Sequence, residues 1–256
     1  MRPRSRVRGA LLIAASAATL GGGIAIWVQW LRRRRVFWFA RLNDDIPVNS
    51  AWWKDQRARH GDLLYVAIGD SAAQGIGASR PSRSYVGQLA RRLRDETDRT
   101  VRVVNLAVSG ATVGLALRDQ LPHLRKLEAD ILTVSIGAND IVDWDPARFE
   151  REYRQLLELL PDHAIVADLP SFYVLPGRRA VAEGNRIIRR LASERGLRVV
   201  RLHAVTARQS GWGMVTQFAG DLFHPNDRGY RVWANVFWPA VAARAAEVER
   251  ERASSG

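Results

Sequence analysis

The stretch "YVAIGDSAAQGIGAS" at residues 65–79 runs from an apolar strand pattern directly into small residues and glycines. A strand that ends in such a turn and opens a helix exposes backbone N–H groups at the helix N-terminus. Two chemistries use this arrangement: a phosphate can bind to the N–H groups, or Ser71 can act as a nucleophile. The choice between them depends on the residues that the rest of the chain supplies.

Five short apolar runs, rich in Val and Ile, follow one another from residue 63 onwards. They are continuously apolar instead of alternating, which is typical of strands buried on both faces of a parallel sheet. Amphipathic helix patterns separate them, and Pro239 predicts a kink or an early end in the last helix. The pattern therefore predicts a three-layer α/β/α domain with a parallel five-stranded sheet over residues 63–250. Its strands are predicted at residues 63–69, 101–108, 130–137, 163–170 and 197–203.

The positive charge of the chain is concentrated at its N-terminus. The formal net charge is +13, but residues 1–41 hold nine arginines and no acidic residue. The remaining chain carries 30 basic residues against 26 acidic ones. Because the excess lies outside the predicted domain, the charge does not indicate nucleic acid as a partner.

An uncharged, mostly apolar segment occupies residues 9–31. At 1.5 Å per residue, a helix of this length crosses roughly 30 Å of hydrocarbon. Trp27 and Trp30 lie where an interfacial aromatic belt is expected. The sequence thus predicts a basic tail and one transmembrane helix within residues 1–35, followed by a connector at 36–62.

Two other interpretations of the apolar segment stay open. The small residues at 15–17 are compatible with the end of a cleavable signal peptide, although the apolar run continues beyond them. A buried core helix is the second alternative. Basic residues flank both ends of the segment, so the positive-inside rule does not settle orientation. The short basic tail favours a single-pass membrane protein with an extracytoplasmic domain, and the arginines at 32–35 favour the reverse.

The loop after the first strand lacks the residues that phosphate binding needs. A Walker loop requires Gly-Lys-Ser/Thr, and the two lysines of the chain, Lys54 and Lys126, lie elsewhere. In the dinucleotide pattern, Gly75 and Gly77 are followed by Arg80 where a third glycine belongs. The five histidines show no paired spacing and cysteine is absent, so neither a cofactor nor a metal is expected.

A serine nucleophile instead needs a base, a group that orients the base, and donors for an oxyanion. "GDLFHPN" at 220–226 contains Asp221 and His224, three residues apart, which on one tight turn places a carboxylate beside an imidazole. Gly110 and Asn139 each follow a predicted strand. The carboxyl ends of parallel strands form the ligand-binding edge of such folds, so these residues are expected to converge with Ser71.

Four blocks, "GDSAAQG", "NLAVSG", "GAND" and "DLFHPN", occur in this order between residues 65 and 226. Together they resemble the signature blocks of the SGNH (GDSL-type) hydrolases. The resemblance implies a flavodoxin-like domain that hydrolyses esters or related acyl compounds without a metal. One position departs from the family pattern, because Ala72 stands where a leucine usually follows the nucleophile. The family residues map onto Ser71, Gly110, Asn139 and His224, with Asp221 completing the triad.

The resemblance assigns roles to these residues. His224 is expected to deprotonate Ser71 while Asp221 orients the imidazole. The oxyanion hole is expected to consist of the N–H groups of Ser71 and Gly110 and the side-chain amide of Asn139. An esterase or lipase acting on a small-molecule, lipid or glycan acyl ester is the leading interpretation. A carbohydrate O-deacetylase of the cell envelope, a thioesterase or acyltransferase, and a non-catalytic binding protein on the same fold are the alternatives.

Overall fold

The computed structural model describes residues 26–27, 29–34, 36–171, 177–209, 213 and 216–255. Most of the predicted transmembrane segment, residues 9–25 and 28, lies outside the described residues. In the part of the chain that is described, no helix has the length and apolar character needed to cross a bilayer.

A five-stranded sheet, parallel throughout, forms the centre of the domain, as predicted. Its strand order is β2-β1-β3-β4-β5. The chain leaves β1 for β2 on one side and returns to β3 on the other, so the topological switch point lies between β1 and β3. The strands are β1 (Leu63–Gly69), β2 (Val101–Asn105), β3 (Ile131–Ser135), β4 (Ile165–Ala167) and β5 (Arg198–Val200).

Helices cover both faces of the sheet. A 3₁₀ helix at Pro81–Arg83 precedes α3, and another at Asn139–Asp143 precedes α6. From residue 45 onwards, the α-helices whose bounds the structure describes are α1 (Asp45–Ala58), α2 (Ser71–Gln74), α3 (Tyr85–Thr97), α4 (Val113–Asp119), α5 (Leu121–Leu124), α6 (Pro146–Glu158), α7 (Arg178–Glu194), α8 (Leu202–Arg208) and α9 (Asp227–Ser255).

Alternate residues of β1 face two separate apolar cores. Tyr65 and Ala67 pack with residues of α1, α3 and α9. Val66 and Ile68 pack with residues of α4, α6 and α7. Both sets are fully or almost fully buried, which explains why the strand reads as continuously apolar.

All five predicted strands exist, but four of them end earlier than predicted. Beyond the carboxyl ends, side chains accept some of the main-chain N–H groups. The Ala107 N–H donates to Asn105 Oδ1 at 3.1 Å, and the Leu169 N–H donates to Asn185 Oδ1 at 2.6 Å. The apolar residues predicted as strand ends therefore form the loops at the carboxyl edge.

Of the two outcomes predicted at Pro239, a kink or an early end of the last helix, the early end does not occur. α9 continues to Ser255 with Pro239 inside it. A proline within a helix costs about 3 kcal/mol because it removes one hydrogen bond and crowds the preceding turn. Phe237 and Val241 flank it and are both fully buried. Burial of two such side chains, at about 1.5–3 kcal/mol each, offsets the cost.

Part of the predicted connector packs on the domain. Residues 45–58 form α1, in which Trp53 is buried in the same core as β1 and α3. Its ring contacts that of Trp52 edge-on, with the ring centres 4.5 Å apart. α1 thus forms part of the layer that covers one face of the sheet.

Candidate active site

Ser71 is the first residue of α2, directly after the carboxyl end of β1. Asp70 caps this short helix, and its Oδ1 accepts the N–H of Ala72 at 2.9 Å. The cap leaves the Ser71 hydroxyl at the helix N-terminus, where the side chain is mostly buried but borders a cavity. The turn therefore presents the Ser71 hydroxyl at the carboxyl edge of the sheet, at the start of a helix.

A continuous series of hydrogen bonds joins the serine to a carboxylate. His224 Nε2 lies 2.8 Å from Ser71 Oγ, and Nδ1 lies 2.6 Å from Asp221 Oδ2. Asp221 Oδ1 also accepts the main-chain N–H groups of Phe223 and His224, both at 3.1 Å. The structure thus brings together the three residues that the sequence singled out, although Ser71 and His224 are 153 positions apart.

The surroundings of Asp221 favour its ionised form. Burial alone raises the pKa of this carboxyl, but the hydrogen bond and positive charge of His224 and two main-chain N–H groups outweigh it. The pKa of Asp221 is therefore lowered from its usual value. A buried carboxylate in this position can hold the Nδ1 proton and leave the Nε2 lone pair directed at the serine hydroxyl.

Asn139 lines the same cavity as Ser71 and His224. It begins the 3₁₀ helix after β3, and its Nδ2 donates to the carbonyl of Ala111 at 2.9 Å. A primary amide carries two N–H hydrogens, so one remains for a ligand.

Gly110 directly precedes Ala111, the residue that accepts from Asn139. Its φ of 79° lies in the left-handed region. Apart from the glycine and its two chain neighbours, no atom of the described residues lies within 4 Å of the position that a Cβ would occupy. The glycine therefore permits this backbone conformation and leaves the neighbouring space open.

One residue that sequence reasoning missed connects these loops. The side chain of Gln74 donates from Nε2 to the carbonyl of Ala107 at 2.8 Å and accepts from Ser109 Oγ at 2.7 Å. It links the last residue of α2 to the segment that ends at Gly110. A single glutamine among the small residues of "GDSAAQG" is the sequence signal that could have indicated this hydrogen-bonding role.

Two other acidic residues near the site are held by main-chain groups. Asp70 and Asp140 are buried, and burial raises the pKa of each to about 6. Asp140 Oδ2 accepts the N–H of Val113 at 3.1 Å. Neither carboxyl group takes the place of Asp221 on the imidazole of His224, whose Nδ1 is bonded to Asp221.

The described residues contain no group of three or more histidine and acidic side chains arranged to hold a metal. The cavity beside Ser71 is lined largely by apolar groups, among them Leu169, Pro170 and Phe223. In chemical terms the site combines a hydroxyl next to a base with amide donors and an apolar wall. These are the elements that acyl transfer to serine requires.

A parallel α/β sheet with a serine, an imidazole and a carboxylate hydrogen-bonded in series at its carboxyl edge is typical of the class of α/β serine hydrolases. The model of the GDSL-like lipase/acylhydrolase family matches residues 67–232, more than half of the chain. The chain belongs to this family and is an SGNH-type carboxylic ester hydrolase. The resemblance of the four sequence blocks is thereby confirmed.

Solved structures show the same fold. An alpha/beta hydrolase from the metagenome of Lake Arreo, Spain, is 23% identical with a TM-score of 0.60, over 73% of this chain and 98% of that one. A lipase/acylhydrolase from Enterococcus faecalis is 18% identical with a TM-score of 0.61, over 71% and 96%. An acetylxylan esterase from Geobacillus stearothermophilus is 20% identical with a TM-score of 0.55, over 70% and 94%. No curated protein gave a significant sequence match.

Proposed function

We propose that this protein hydrolyses carboxylic acyl esters with Ser71 as nucleophile, His224 as general base and Asp221 as the group that orients His224. The observation that carries the proposal is the unbroken hydrogen-bond series from Ser71 Oγ through the imidazole to Asp221, at 2.8 and 2.6 Å. A serine hydroxyl is a weak nucleophile until a neighbouring base removes its proton, and this geometry supplies the base.

The reaction begins when the Ser71 hydroxyl proton moves to His224 Nε2 and Oγ attacks the acyl carbonyl carbon. The carbonyl π electrons move to oxygen and form a tetrahedral oxyanion. When this collapses, the bond to the alcohol breaks, and the alcohol oxygen takes the proton from Nε2. Water then attacks the acyl-serine in the same manner, which releases the carboxylic acid and restores Ser71.

Three donors are proposed for the oxyanion: the N–H groups of Ser71 and Gly110 and the second amide hydrogen of Asn139. The open space at Gly110 and the shared cavity of Asn139 and Ser71 support this assignment. Preorganised donors of this kind stabilise charge that develops in the transition state. Loss of one such donor typically costs about 3–4 kcal/mol of barrier.

The apolar lining at Leu169, Pro170 and Phe223 supports an acyl group bound through hydrophobic contact. Solved structures of similar fold include a lipase/acylhydrolase and an acetylxylan esterase, so removal of acetyl groups from glycans is the alternative within ester hydrolysis. Hydrolysis rates on p-nitrophenyl esters of increasing chain length, compared with acetylated xylan, distinguish the two. A preference for the longer esters supports the first, and activity confined to acetyl groups supports the second.

The test of the mechanism is labelling by a fluorophosphonate, which reacts with activated serines. We expect the wild type to be labelled and to hydrolyse p-nitrophenyl esters, and Ser71→Ala to do neither while keeping its fold. Ser79→Ala is the matched control, because Ser79 lies in the same segment but donates to Asp227 at 2.7 Å. Persistent labelling of Ser71→Ala would assign the nucleophile elsewhere.

We propose further that residues 9–31 anchor the protein in a membrane, with the hydrolase domain on the extracytoplasmic side. The absence of charge over a length that spans the hydrocarbon core supports the anchor. Carbonate extraction tests it, since an anchored protein stays with the membrane and a peripheral one is released. Protease added to intact spheroplasts tests on which side of the membrane the domain lies. Digestion of the domain agrees with the proposal, and full protection would indicate the reverse orientation.

A further inference from the structure

The helical residues 29–34 and 36–43, here called the leading segment, precede α1. Their side chains fall into two groups by exposure. Leu31, Arg34, Trp38 and Leu42 are partly or fully buried, and their spacing of three, four and four residues places them on one helical face. This inner face lies against the hydrolase domain.

The inner face contacts the residue before Asp221. Arg34 Nε donates to the carbonyl of Gly220 at 3.2 Å. The ring of Trp38 covers Gly220 so closely that a Cβ at position 220 would overlap it. The backbone of Gly220 is not in the left-handed region, so the ring is the reason that a side chain does not fit there. The leading segment thus rests on the loop that carries Asp221 and His224.

The rest of the helix surface, here called the outer face, presents large apolar side chains to solvent. Val36, Phe37 and Phe39 are 71, 64 and 52% exposed. Exposed arginines accompany them at positions 32, 33 and 41. Large exposed apolar side chains on a helix that already packs through its inner face indicate a surface that is covered in use.

The chemistry of this outer face fits an anionic bilayer surface. Aromatic side chains prefer the headgroup level of a membrane, and arginine side chains attract anionic lipids. A basic helix with an apolar face lies in the plane of such an interface. The position in the chain agrees, because the leading segment overlaps the end of the apolar segment 9–31 and continues from it.

We propose that the leading segment lies on an anionic membrane surface through its outer face and, through Trp38, holds the loop of Asp221 and His224 with its inner face. Trp38 is then a positioning residue for the reaction, and the bilayer is the partner of the outer face. The second part rests on the proposed function of Asp221 and His224.

The membrane contact can be tested in the full chain, which contains no cysteine. An environment-sensitive fluorophore is attached at Phe37→Cys or, as a control, at Leu159→Cys. Leu159 is an exposed apolar residue that precedes β4, at the amino edge of the sheet. With phosphatidylglycerol vesicles we expect a shift to shorter wavelength at position 37 alone, weaker with phosphatidylcholine and reduced by salt. An unchanged spectrum at position 37, or the same shift at 159, overturns the membrane contact.

The positioning role can be tested by a pair of neighbouring substitutions. Trp38→Ala removes the ring over Gly220, whereas Phe39→Ala changes only the outer face. On a soluble ester we expect Trp38→Ala to lower kcat by about 10- to 100-fold with little change in KM, because small misplacements of reacting groups have effects of this size. Phe39→Ala keeps the wild-type kcat, and Trp38→Phe restores part of the loss.

A double-mutant cycle separates positioning from general destabilisation. Gly220→Ala alone should lower kcat because the new methyl group meets the Trp38 ring, but it should add little to Trp38→Ala. Additive effects, or an unchanged kcat in Trp38→Ala, overturn the positioning role. If fluorophosphonate labelling of Ser71 and hydrolysis are absent in the wild type, the proposed function fails. If both are present, these outcomes bear on the leading segment alone.

Discussion

Trp53 donates its indole N–H to the main-chain carbonyl of Gln74 at 3.0 Å. The same oxygen accepts Asn49 Nδ2 at 3.1 Å, and both donors are buried. Two side chains of α1 thus donate hydrogen bonds to the last main-chain carbonyl of the helix that begins with Ser71. Because the last carbonyls of a helix have no partner within it, α1 supplies what a four-residue helix cannot. The segment before the first strand therefore supports the turn that carries the serine.

Replacing Trp53 tests this support. Trp53→Phe keeps most of the packing and removes one hydrogen bond, so we expect a loss of about 1 kcal/mol in the free energy of unfolding. Trp53→Ala also leaves a cavity in the core and should cost about 3–5 kcal/mol. Trp52→Phe, on the partly exposed neighbour, should change stability by less than about 0.5 kcal/mol. Urea denaturation measures all three, and equal losses for Trp52→Phe and Trp53→Phe would remove the special role of the Gln74 bond.

Gln74 is expected to position the Gly110 segment for the reaction. Gln74→Met keeps the size of the side chain but removes its bonds to Ala107 and Ser109. The segment that ends at Gly110, whose N–H is proposed as an oxyanion donor, is then less firmly held. We expect kcat to fall by about tenfold or more, with KM little changed.

Gln88→Met is the matched control for Gln74→Met. Gln88 is equally buried and also donates to a main-chain carbonyl, that of Arg83 at 2.7 Å, but it lies on α3 outside the site. We expect it to lower stability and to leave kcat near the wild-type value. Similar kcat losses in both variants would mean that Gln74 acts through stability alone.

Asp70 is expected to make the domain less stable as the pH rises. Burial raises the pKa of this carboxyl from 3.8 to about 6 in the folded state. Between these two pH values the folded protein binds more protons than the unfolded chain. The contribution of Asp70 to the free energy of unfolding is therefore fully present below about pH 4 and is lost as the pH rises through about 6. Ionisation of the buried group costs up to about 3 kcal/mol. In Asp70→Asn, which can still accept the Ala72 N–H, this loss should be absent.

The measurement is the free energy of unfolding of wild type and Asp70→Asn at pH 5 and pH 8. The difference between the two proteins isolates Asp70 from Asp140, whose pKa is also raised to about 6 by burial. We expect Asp70→Asn to gain stability relative to the wild type at pH 8 and to gain less at pH 5. A constant difference across this range would contradict a raised pKa at Asp70.

Asp221→Asn should slow the reaction without abolishing it. The amide cannot stabilise the imidazolium and favours the wrong tautomer of His224, so we expect kcat to fall by about 10³- to 10⁴-fold. His224→Ala and Ser71→Ala should lose more, because they remove the base and the nucleophile themselves. Steady-state rates on a p-nitrophenyl ester measure kcat for the three variants. An Asp221→Asn variant with the wild-type rate would contradict the role of Asp221.

The pH dependence of the wild type supplies a second measurement on the same residues. Because the pKa of Asp221 is lowered, its carboxylate stays charged between about pH 5 and 8. Activity should rise with pH across this range, because the base must be unprotonated to accept the Ser71 proton. A rise that Asp70→Asn retains is not due to Asp70, whose pKa burial raises to about 6. A rate that is independent of pH across this range would argue against a histidine base.

Local sequence patterns predict the layers of the domain and the candidate residues of the site. Continuous Val- and Ile-rich runs predict strands buried on both faces, and such strands pair in parallel with helices between them. Parallel strands bring their carboxyl ends to one edge of the sheet, so the sequence predicts that Ser71 and Asn139 lie there together. These inferences succeed because period, side-chain type and distance from a strand end are local properties of the chain.

The tertiary structure alone decided how distant parts of the chain meet. Nothing in the local pattern of α1 shows that Trp53 bonds to Gln74, and nothing in the local pattern of the leading segment shows that Trp38 covers Gly220. α9 continues through Pro239 because burial of Phe237 and Val241 against other elements outweighs the local tendency of proline to end a helix. Each of these contacts joins residues that lie far apart in sequence or depends on surfaces that exist only when the elements have packed. Their free energy comes from burial and from hydrogen bonds with partners that a local pattern does not contain.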